Sequence, residues 1–228
     1  MSFIVKKTTF SKVFDMICPH SCRGCGVIGE VLCECCKNDL FLEHENYCPN
    51  CKHLILRGAC QQCQLPPTFL VGWRDELIGK LVYDFKYNSV RALGEVLAEI
   101  LDQILPIVAG KVVIVPLPTI AKHVRKRGLD HTFMIAKSLA KRRKWETKKL
   151  LRRVKNTVQV GANEATRKKQ AEEAYEFVGI VDKENTYILF DDVWTTGASM
   201  KVAIQKMQKA GISKIIVVIL ATNRLRRK

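Results

Sequence analysis

The sequence predicts an α/β protein with a mainly parallel, doubly wound sheet, preceded by a small cysteine-rich domain. From Pro66 onward, short apolar stretches with strand character alternate with helical patterns, which favours parallel strands joined by helices. All ten cysteines lie before residue 64, so the composition changes sharply at that point. The 228 residues suffice for one large and one small domain, which we place at 67–228 and 1–66.

The individual elements follow from hydrophobic periodicity. We expect strands at about 68–73, 112–115, 175–180, 186–190 and 214–220. Leu, Ile and Val recur at helical spacing elsewhere, which predicts helices at about 75–87, 90–105, 129–144 and 197–210. Residues 150–165 are polar, basic and irregular, so we expect a loop or a mobile hairpin there.

The segment from Tyr187 to Met200, YILFDDVWTTGASM, carries the strongest functional signal. Its apolar strand runs into two adjacent acids, Asp191 and Asp192, and a turn of small residues leads into a helix. Ligands of α/β folds bind where parallel strands end, and the amides of such a turn, with the helix N-terminus behind them, attract phosphate. Two carboxylates beside an anion site suit the vicinal hydroxyls of a ribose. The segment therefore predicts a sugar-phosphate site.

Eight of the ten cysteines form four CxxC pairs: Cys22/Cys25, Cys33/Cys36, Cys48/Cys51 and Cys60/Cys63. One CxxC turn supplies two thiolates to a metal, and two such turns complete a tetrahedral zinc site. We expect two structural Zn²⁺ sites, one from the first four ligands and one from the last four. A cross-braced arrangement is the alternative, and a disulfide framework is a weaker one because nothing in the sequence indicates secretion.

Two cysteines fall outside these pairs. Cys35 could replace Cys36 as a ligand, although Cys36 repeats the spacing of the other pairs. Cys18 is interpreted as an ordinary small apolar residue. Because few apolar residues surround the pairs, we expect the metals to supply most of the folding free energy of this region.

The formal net charge of +16 is concentrated in one stretch. Residues 121–170 contain 17 Lys or Arg against three acids, a local net of +14. Such a density predicts a polyanionic partner, with a solvated basic surface as the alternative. The candidate nucleic-acid contacts are Lys141, Arg142, Arg143, Lys144, Arg152 and Arg153. Aromatic content is only 7%, so contacts to phosphates should outweigh base stacking.

The sequence also bears on where the protein works. No segment approaches the roughly 20 apolar residues that span a bilayer, and the basic N-terminus is unlike a secretory signal. We therefore expect a cytoplasmic protein without membrane insertion.

The chain as a whole resembles the ComF family, bacterial proteins linked to natural competence. They join a double zinc ribbon to a domain like the type I phosphoribosyltransferases, which bind phosphoribosyl diphosphate (PRPP). Residues 187–200 resemble the PRPP motif of those enzymes. The other matching segments are Phe85-Lys86-Tyr87, Val115 to Pro118 (VPLP), Arg125 to His131 (RKRGLDH), 151–159 (LRRVKNTVQ) and Arg167 with Gln170. At Asp130-His131 the family has Asn-Gln, and at Gln170 it has Asn.

This resemblance implies roles for individual residues. Asp191 and Asp192 would hold the ribose hydroxyls, and the turn would hold the 5-phosphate through Thr195, Thr196, Gly197, Ala198 and Ser199. The diphosphate, whose oxygens are shared with Mg²⁺, would contact Pro116, Leu117, Arg125, Arg127 and Arg167.

The resemblance also implies a function, which is to assist the uptake or handling of single-stranded DNA in natural transformation. The zinc ribbons would then contact DNA, a competence helicase or other uptake proteins. One alternative is an active phosphoribosyltransferase that displaces diphosphate from PRPP with an unidentified nucleophile. Another is a PRPP sensor without catalysis. The sequence identifies no catalytic residue.

Overall fold

The computed structural model describes residues 20–42, 44–55, 58–154 and 174–224. The chain divides into two compact units, Met1–Glu43 and His44–Lys228. The first set of four cysteines lies in the smaller unit and the second set in the larger one. The domain boundary near residue 66 stays a prediction. Among the described residues, none of the helices has the length and apolarity needed to cross a membrane.

The smaller unit is organised around its cysteines. Residues 22–25 form a turn that is closed by a hydrogen bond from the amide of Gly26 to the carbonyl of Cys22, at 2.9 Å. Helix α1 (Glu34–Leu42) carries Cys36 in its first turn. The sequence did not predict this helix, because its buried residues, Cys36 and Lys37, are adjacent and leave no apolar stripe.

The larger unit contains a five-stranded parallel sheet, which confirms the predicted α/β fold. Its strands are β1 (Thr68–Trp73), β2 (Val112–Pro116), β3 (Glu146–Thr147), β6 (Thr186–Trp194) and β7 (Ile215–Thr222). The spatial order is β1-β7-β6-β2-β3, as in a type I phosphoribosyltransferase-like domain. A separate antiparallel pair joins β4 (Leu151–Arg153) to β5 (Tyr175–Phe177). Strand β4 lies at the start of the 150–165 stretch, for which the sequence predicted a loop or a mobile hairpin.

Five helices accompany the sheet: α2 (Leu77–Tyr87), α3 (Leu93–Ile104), α4 (Ala121–Arg127), α5 (His131–Arg143) and α6 (Ala198–Lys209). The central strands are apolar along nearly their whole length, as expected of parallel strands covered on both faces. All five residues of β2 are buried. The predicted helices are confirmed to within about three residues at each end, but α4 was missed because none of its residues is buried.

Strand β6 extends four residues beyond its predicted end at 190. It continues through both aspartates to Trp194, because its ladder with β7 continues to the pair Trp194 and Thr222. Asp192 and Trp194 are buried, whereas Asp191 and Val193 are half-buried. Two adjacent acidic residues therefore lie inside the strand, at positions where hydrophobicity alone predicts that the strand has ended.

The basic end of α5 braces this helix against α3. The guanidinium of Arg143 donates to the Asp102 carboxylate at 2.5 Å and to the carbonyls of Leu105 and Pro106 at 2.7 and 2.9 Å. Arg142 lies 3.8 Å from a carboxylate oxygen of Glu95. Both arginines thus have intramolecular partners, and their contact with nucleic acid stays a prediction, as do those of Lys141 and Lys144.

Candidate functional site

The site lies where the direction of the sheet reverses. From β2 the chain proceeds outward to β3, whereas from β6 it proceeds the opposite way to β7. Parallel sheets leave a crevice at such a switch point, beyond the carboxyl ends of the two neighbouring strands. Here the amide of Leu117, just after β2, donates to the carbonyl of Phe190 in β6 at 2.8 Å. The segments after β2 and β6 therefore meet at one edge.

A cleft of about 210 Å³ occupies this edge, and both predicted ribose ligands, Asp191 and Asp192, line it together with Ser199. Leu117 lines the opposite side. Three cationic side chains, Lys86, Arg127 and Arg153, line the cleft together with the imidazoles of His123 and His131. The cleft thus combines two carboxylates with a surplus of basic side chains, a composition suited to a ligand that carries both hydroxyls and phosphates.

The two aspartates have different environments. Asp192 is 5% exposed; its carboxylate lies 2.6 Å from Lys86 Nζ and accepts a hydrogen bond from Thr132 Oγ1 at 3.1 Å. Asp191 Oδ1 accepts from the amide of Asp192 at 2.9 Å. Burial, and then the neighbouring Asp192 charge, raise the pKa of Asp191 well above its ordinary value, although Lys86 opposes them. The charge of Asp192 is thus neutralised by Lys86. Ionisation of Asp191 is instead disfavoured by burial when no ligand is bound.

The turn after β6 presents unused donors. Gly197 has a φ of +75° and immediately precedes α6. Within the described structure, the amides of Thr195, Thr196, Gly197 and Ser199 make no backbone hydrogen bond, and only the amide of Ala198 has a local acceptor, Thr196 Oγ1 at 3.4 Å. The turn encloses a cup of about 130 Å³ next to Asp191. Four free amides at the N-terminus of a helix form a binding site for an anion.

Substitution of Gly197 tests the geometry of this turn. In Gly197→Ala the added Cβ would lie 2.1 Å from Trp194 Cζ2, in addition to the strain of positive φ. We expect a loss of about 2–4 kcal/mol in the free energy of unfolding, measured by urea denaturation, and loss of any phosphate ligand. Gly110→Ala is the matched control, since Gly110 has a φ of +80° but no atom within 4 Å of the new Cβ. Equal losses in the two variants would contradict the close packing of Trp194 against the turn.

The predicted diphosphate residues are only partly brought together. Leu117 and Arg127 line the cleft. Pro116 ends β2 and borders a neighbouring pocket, while Arg125 lines a separate groove between α2 and α4. Arg167 lies outside the described residues, as does Gln170.

The two predicted nucleic-acid residues in β4 face different surroundings. Arg153 lines the cleft and donates to the hydroxyl of Tyr175 at 2.8 Å. Arg152 lies 2.6 Å from the Glu176 carboxylate. The structure therefore places Arg153, which the sequence assigned to nucleic acid, in the same cleft as Asp191 and Asp192.

The departures from the family pattern, Asp130 and His131, have local structural partners. Asp130 caps α5, accepting from the amide of Phe133 and from Thr119 Oγ1, both at 3.2 Å. His131 is 4% exposed and packs edge-on against Phe85, with ring centroids 4.6 Å apart. Burial, and then the Arg127 charge, lower the pKa of His131, so its ring is neutral at neutral pH. Its Nδ1 atom has no hydrogen-bond partner in the described part of the chain.

The eight paired cysteines form two groups in the predicted sequential order. In each group the four sulfur atoms all lie within 4.8 Å of one another, and Cys36 rather than Cys35 belongs to the first. The Cys22–Cys33 and Cys51–Cys60 sulfur distances are 3.6 and 3.5 Å, near the roughly 3.8 Å expected between thiolates around tetrahedral zinc. Each group thus has the ligands and the spacing to bind a metal such as zinc, and the nine cysteines that the structure describes are free of disulfides.

One thiol of each group is poised to ionise. Burial raises the pKa of Cys22, but hydrogen bonds from the amides of Cys33 and Cys25 outweigh it and bring the pKa to about 6. Burial likewise opposes ionisation of Cys60, yet hydrogen bonds from Cys51 and Cys63 lower its pKa to about 7. In contrast, burial raises the pKa of Cys36 and of Cys48 to about 12. A metal is therefore needed to deprotonate the complete set.

The second cysteine group is connected to both ends of the turn at 195–199. Asn50 donates to Cys63 Sγ at 3.2 Å and accepts from Lys201 Nζ, in the first turn of α6, at 2.7 Å. Lys52 Nζ donates to Thr222 Oγ1 at 2.8 Å, and Thr222 in turn donates to the carbonyl of Trp194 at 2.9 Å. Trp194 is the last residue of β6. The contacts of Asn50 with Lys201 and of Lys52 with Thr222 join residues more than 140 positions apart, and no local sequence pattern predicts them.

The sequence was compared with protein-family models and with curated proteins. No family model matches the sequence, and no curated protein matches it.

Proposed function

We propose that the cleft binds PRPP and that the protein is ComF-like. The observation that carries this proposal is the turn with four unused amides beside two carboxylates at the switch point of a parallel sheet. In this assignment the 5-phosphate occupies the turn at 195–199, and the ribose hydroxyls donate to Asp191 and Asp192. Arg127, with Arg125 two positions before it, compensates the diphosphate, and Arg167, which lies outside the described residues, is a further predicted contact.

Mg²⁺ fits this arrangement as a companion of the ligand. It prefers oxygen ligands and usually binds through phosphate oxygens and few carboxylates. Magnesium neutralises part of the diphosphate charge, which lowers its repulsion from Asp191. The guanidinium groups of Arg127 and Arg153 line the same cleft and supply further positive charge.

PRPP binding should release a proton. Hydroxyl donors and Mg²⁺ favour ionised Asp191, so the bound state lowers the pKa that burial raises in the empty cleft. The affinity should then rise with pH through the window between the bound and free pKa values of Asp191. Calorimetry at about pH 5 and about pH 8 in buffers of different ionisation enthalpy measures this. Uptake of protons on binding would contradict the assignment of Asp191 to the ribose.

The decisive test is a titration of the metal-loaded protein with PRPP in the presence of Mg²⁺. We expect saturable binding, with weaker binding of ribose 5-phosphate and of diphosphate alone, because each fills only part of the cleft. Absence of binding to a folded, metal-loaded protein would refute the proposal. Release of diphosphate in the same samples would identify a transferase, whereas binding without release would identify a PRPP sensor.

A second candidate function is the handling of single-stranded DNA during natural transformation, with the cysteine groups as zinc ribbons that contact DNA, a helicase or other uptake proteins. The formal charge of +16 and the exposed basic helix α4 favour it. Binding to an oligodeoxythymidylate should weaken steeply between about 50 and 200 mM salt. A salt-independent affinity would contradict phosphate contacts.

A further inference from the structure

A large basic groove lies between the C-terminal end of α2 and helix α4. Its volume is about 880 Å³, and Arg91, Lys122, Arg125 and Lys126 line it. None of these four makes an ion pair with a residue that the structure describes, and no acid among the described residues lines the groove. An unneutralised cluster of like charges is unfavourable by itself, so the groove is suited to a polyanion.

Helix α4 supports this interpretation because it has no buried face. No residue of α4 is buried, although most surface helices bury an apolar face. It contributes Lys122, Arg125 and Lys126 to the groove wall. In the described part of the chain, no acidic residue lines the groove beside these three cations. By contrast, Arg143 at the end of α5 and Arg152 in β4 have acids beside them.

The opposite wall of the groove is aromatic. Tyr87 is 57% exposed and lines the groove, and its ring lies 4.9 Å from that of Tyr83, which is 56% exposed. The guanidinium of Arg127 stacks 4.7 Å from the Tyr87 ring centroid and donates to its hydroxyl at 3.1 Å. An exposed ring held in place beside cations is a platform for a nucleobase.

The groove adjoins the proposed PRPP cleft. Lys86, Ile120, His123, Arg127 and His131 line both cavities. His131 is nearly inaccessible, yet its Nδ1 atom has no partner among the described residues, so a polar atom is unsatisfied at the wall that the two cavities share. A ligand in the groove would therefore contact the same residues as a ligand in the cleft.

We propose that the groove binds a nucleotide unit, with its phosphate among Arg91, Lys122 and Lys126 and its base against Tyr87. The inference rests on the proposed function in one respect, because it makes the groove the second ligand site beside PRPP. Either a free nucleotide or one residue of a single strand supplies this chemistry. The experiment below distinguishes these two sources.

The test compares two triple variants that each remove three positive charges. Arg91→Ser/Lys122→Ser/Lys126→Ser alters only exposed side chains that line the groove and not the cleft. The control, Lys183→Ser/Lys206→Ser/Lys209→Ser, alters residues that line neither. The probes are a labelled oligodeoxythymidylate, followed by anisotropy, and thymidine monophosphate as competitor.

We expect the groove variant to bind the oligonucleotide at least about tenfold more weakly, with a salt slope reduced by about 2. Tyr87→Ala should weaken binding about tenfold through lost stacking, whereas Tyr87→Phe should retain it. If thymidine monophosphate displaces the oligonucleotide at a similar concentration of phosphate, the groove is a site for free nucleotides. If it does not compete, the groove is a site for a nucleic-acid strand. Equal affinities of the groove and control variants would overturn the proposal.

The same variants separate this inference from the proposed function. PRPP affinity should be unchanged in the groove triple, because none of its three residues lines the cleft. Loss of oligonucleotide binding together with an absence of PRPP binding in the unaltered protein would refute PRPP binding and leave the groove in place. The reverse pattern would refute the groove alone.

Discussion

Removing the metal from the second cysteine group is expected to weaken PRPP binding and to disrupt the local fold. Asn50 and Lys52 connect that group to α6 and to the end of β6, so it is linked to both ends of the turn at 195–199. Metal binding at such sites is worth about 10–16 kcal/mol in apparent free energy, which exceeds the stability of a typical domain. We expect Cys60→Ser/Cys63→Ser to lose one metal and at least about tenfold in PRPP affinity.

The first cysteine group provides the control, since it lies in the other compact unit. Cys22→Ser/Cys25→Ser should also lose one metal, measured by elemental analysis, but should retain PRPP affinity. Asn50→Ala and Lys52→Met then test the connection with the metal in place. They should increase hydrogen exchange in the turn at 195–199 without changing metal content. If removal of the metal from the second group leaves PRPP affinity and hydrogen exchange in the turn unaltered, the connection does not affect PRPP binding.

Asp191→Asn and Asp192→Asn are expected to abolish PRPP binding while changing stability in opposite directions. Each replaces one carboxylate oxygen by an NH2 donor and removes the charge from the acceptor of a ribose hydroxyl. A hydrogen bond to a charged group contributes about 1.5–3 kcal/mol, equivalent to roughly tenfold or more in affinity for each variant. Calorimetry with Mg²⁺ and PRPP measures this. Unchanged affinity in both variants would remove the ribose assignment.

The stability effects follow from the two environments. The pKa of Asp191 is raised by folding, so the native state binds more protons than the unfolded state between the unfolded and folded pKa values. The contribution of Asp191 therefore falls as pH rises through that window, and Asp191→Asn should make the ligand-free protein more stable at neutral pH. Asp192→Asn instead leaves Lys86 buried without its counter-charge, a loss of about 3 kcal/mol.

A double variant checks this explanation. Lys86→Met in the Asp192→Asn background removes the unpaired ammonium and should recover most of the lost unfolding free energy. Denaturation across pH measures all four proteins on one scale. A destabilised Asp191→Asn protein, or an Asp192→Asn protein with full stability, would contradict the environments described for the pair.

Features written in neighbouring residues were predictable. The CxxC spacing correctly predicts two sequential cysteine groups, since the geometry of each knuckle is local. The run from Tyr187 to Ser199 likewise predicts a buried strand, two acids and a helix-initiating turn. Strand and helix periodicity is also local, so the parallel α/β fold follows from it. Four elements escaped because they lack that periodicity: α4 has no buried face, α1 buries only the adjacent Cys36 and Lys37, and β3 and β4 are only two and three residues long.

Long-range polar pairing was decided by the tertiary structure alone. Nothing near Lys86 indicates that it neutralises Asp192, and nothing near Asn50 indicates contact with α6. Charge density similarly placed the candidate nucleic-acid contacts at 141–144, where folding supplies Arg142 and Arg143 with acidic partners from α3. The sequence by itself thus determined the strand–turn–helix site and the metal ligands, because their geometry depends on adjacent backbone. Only the fold decided which charges are neutralised and which face a groove, because side-chain partners are set by packing between distant elements.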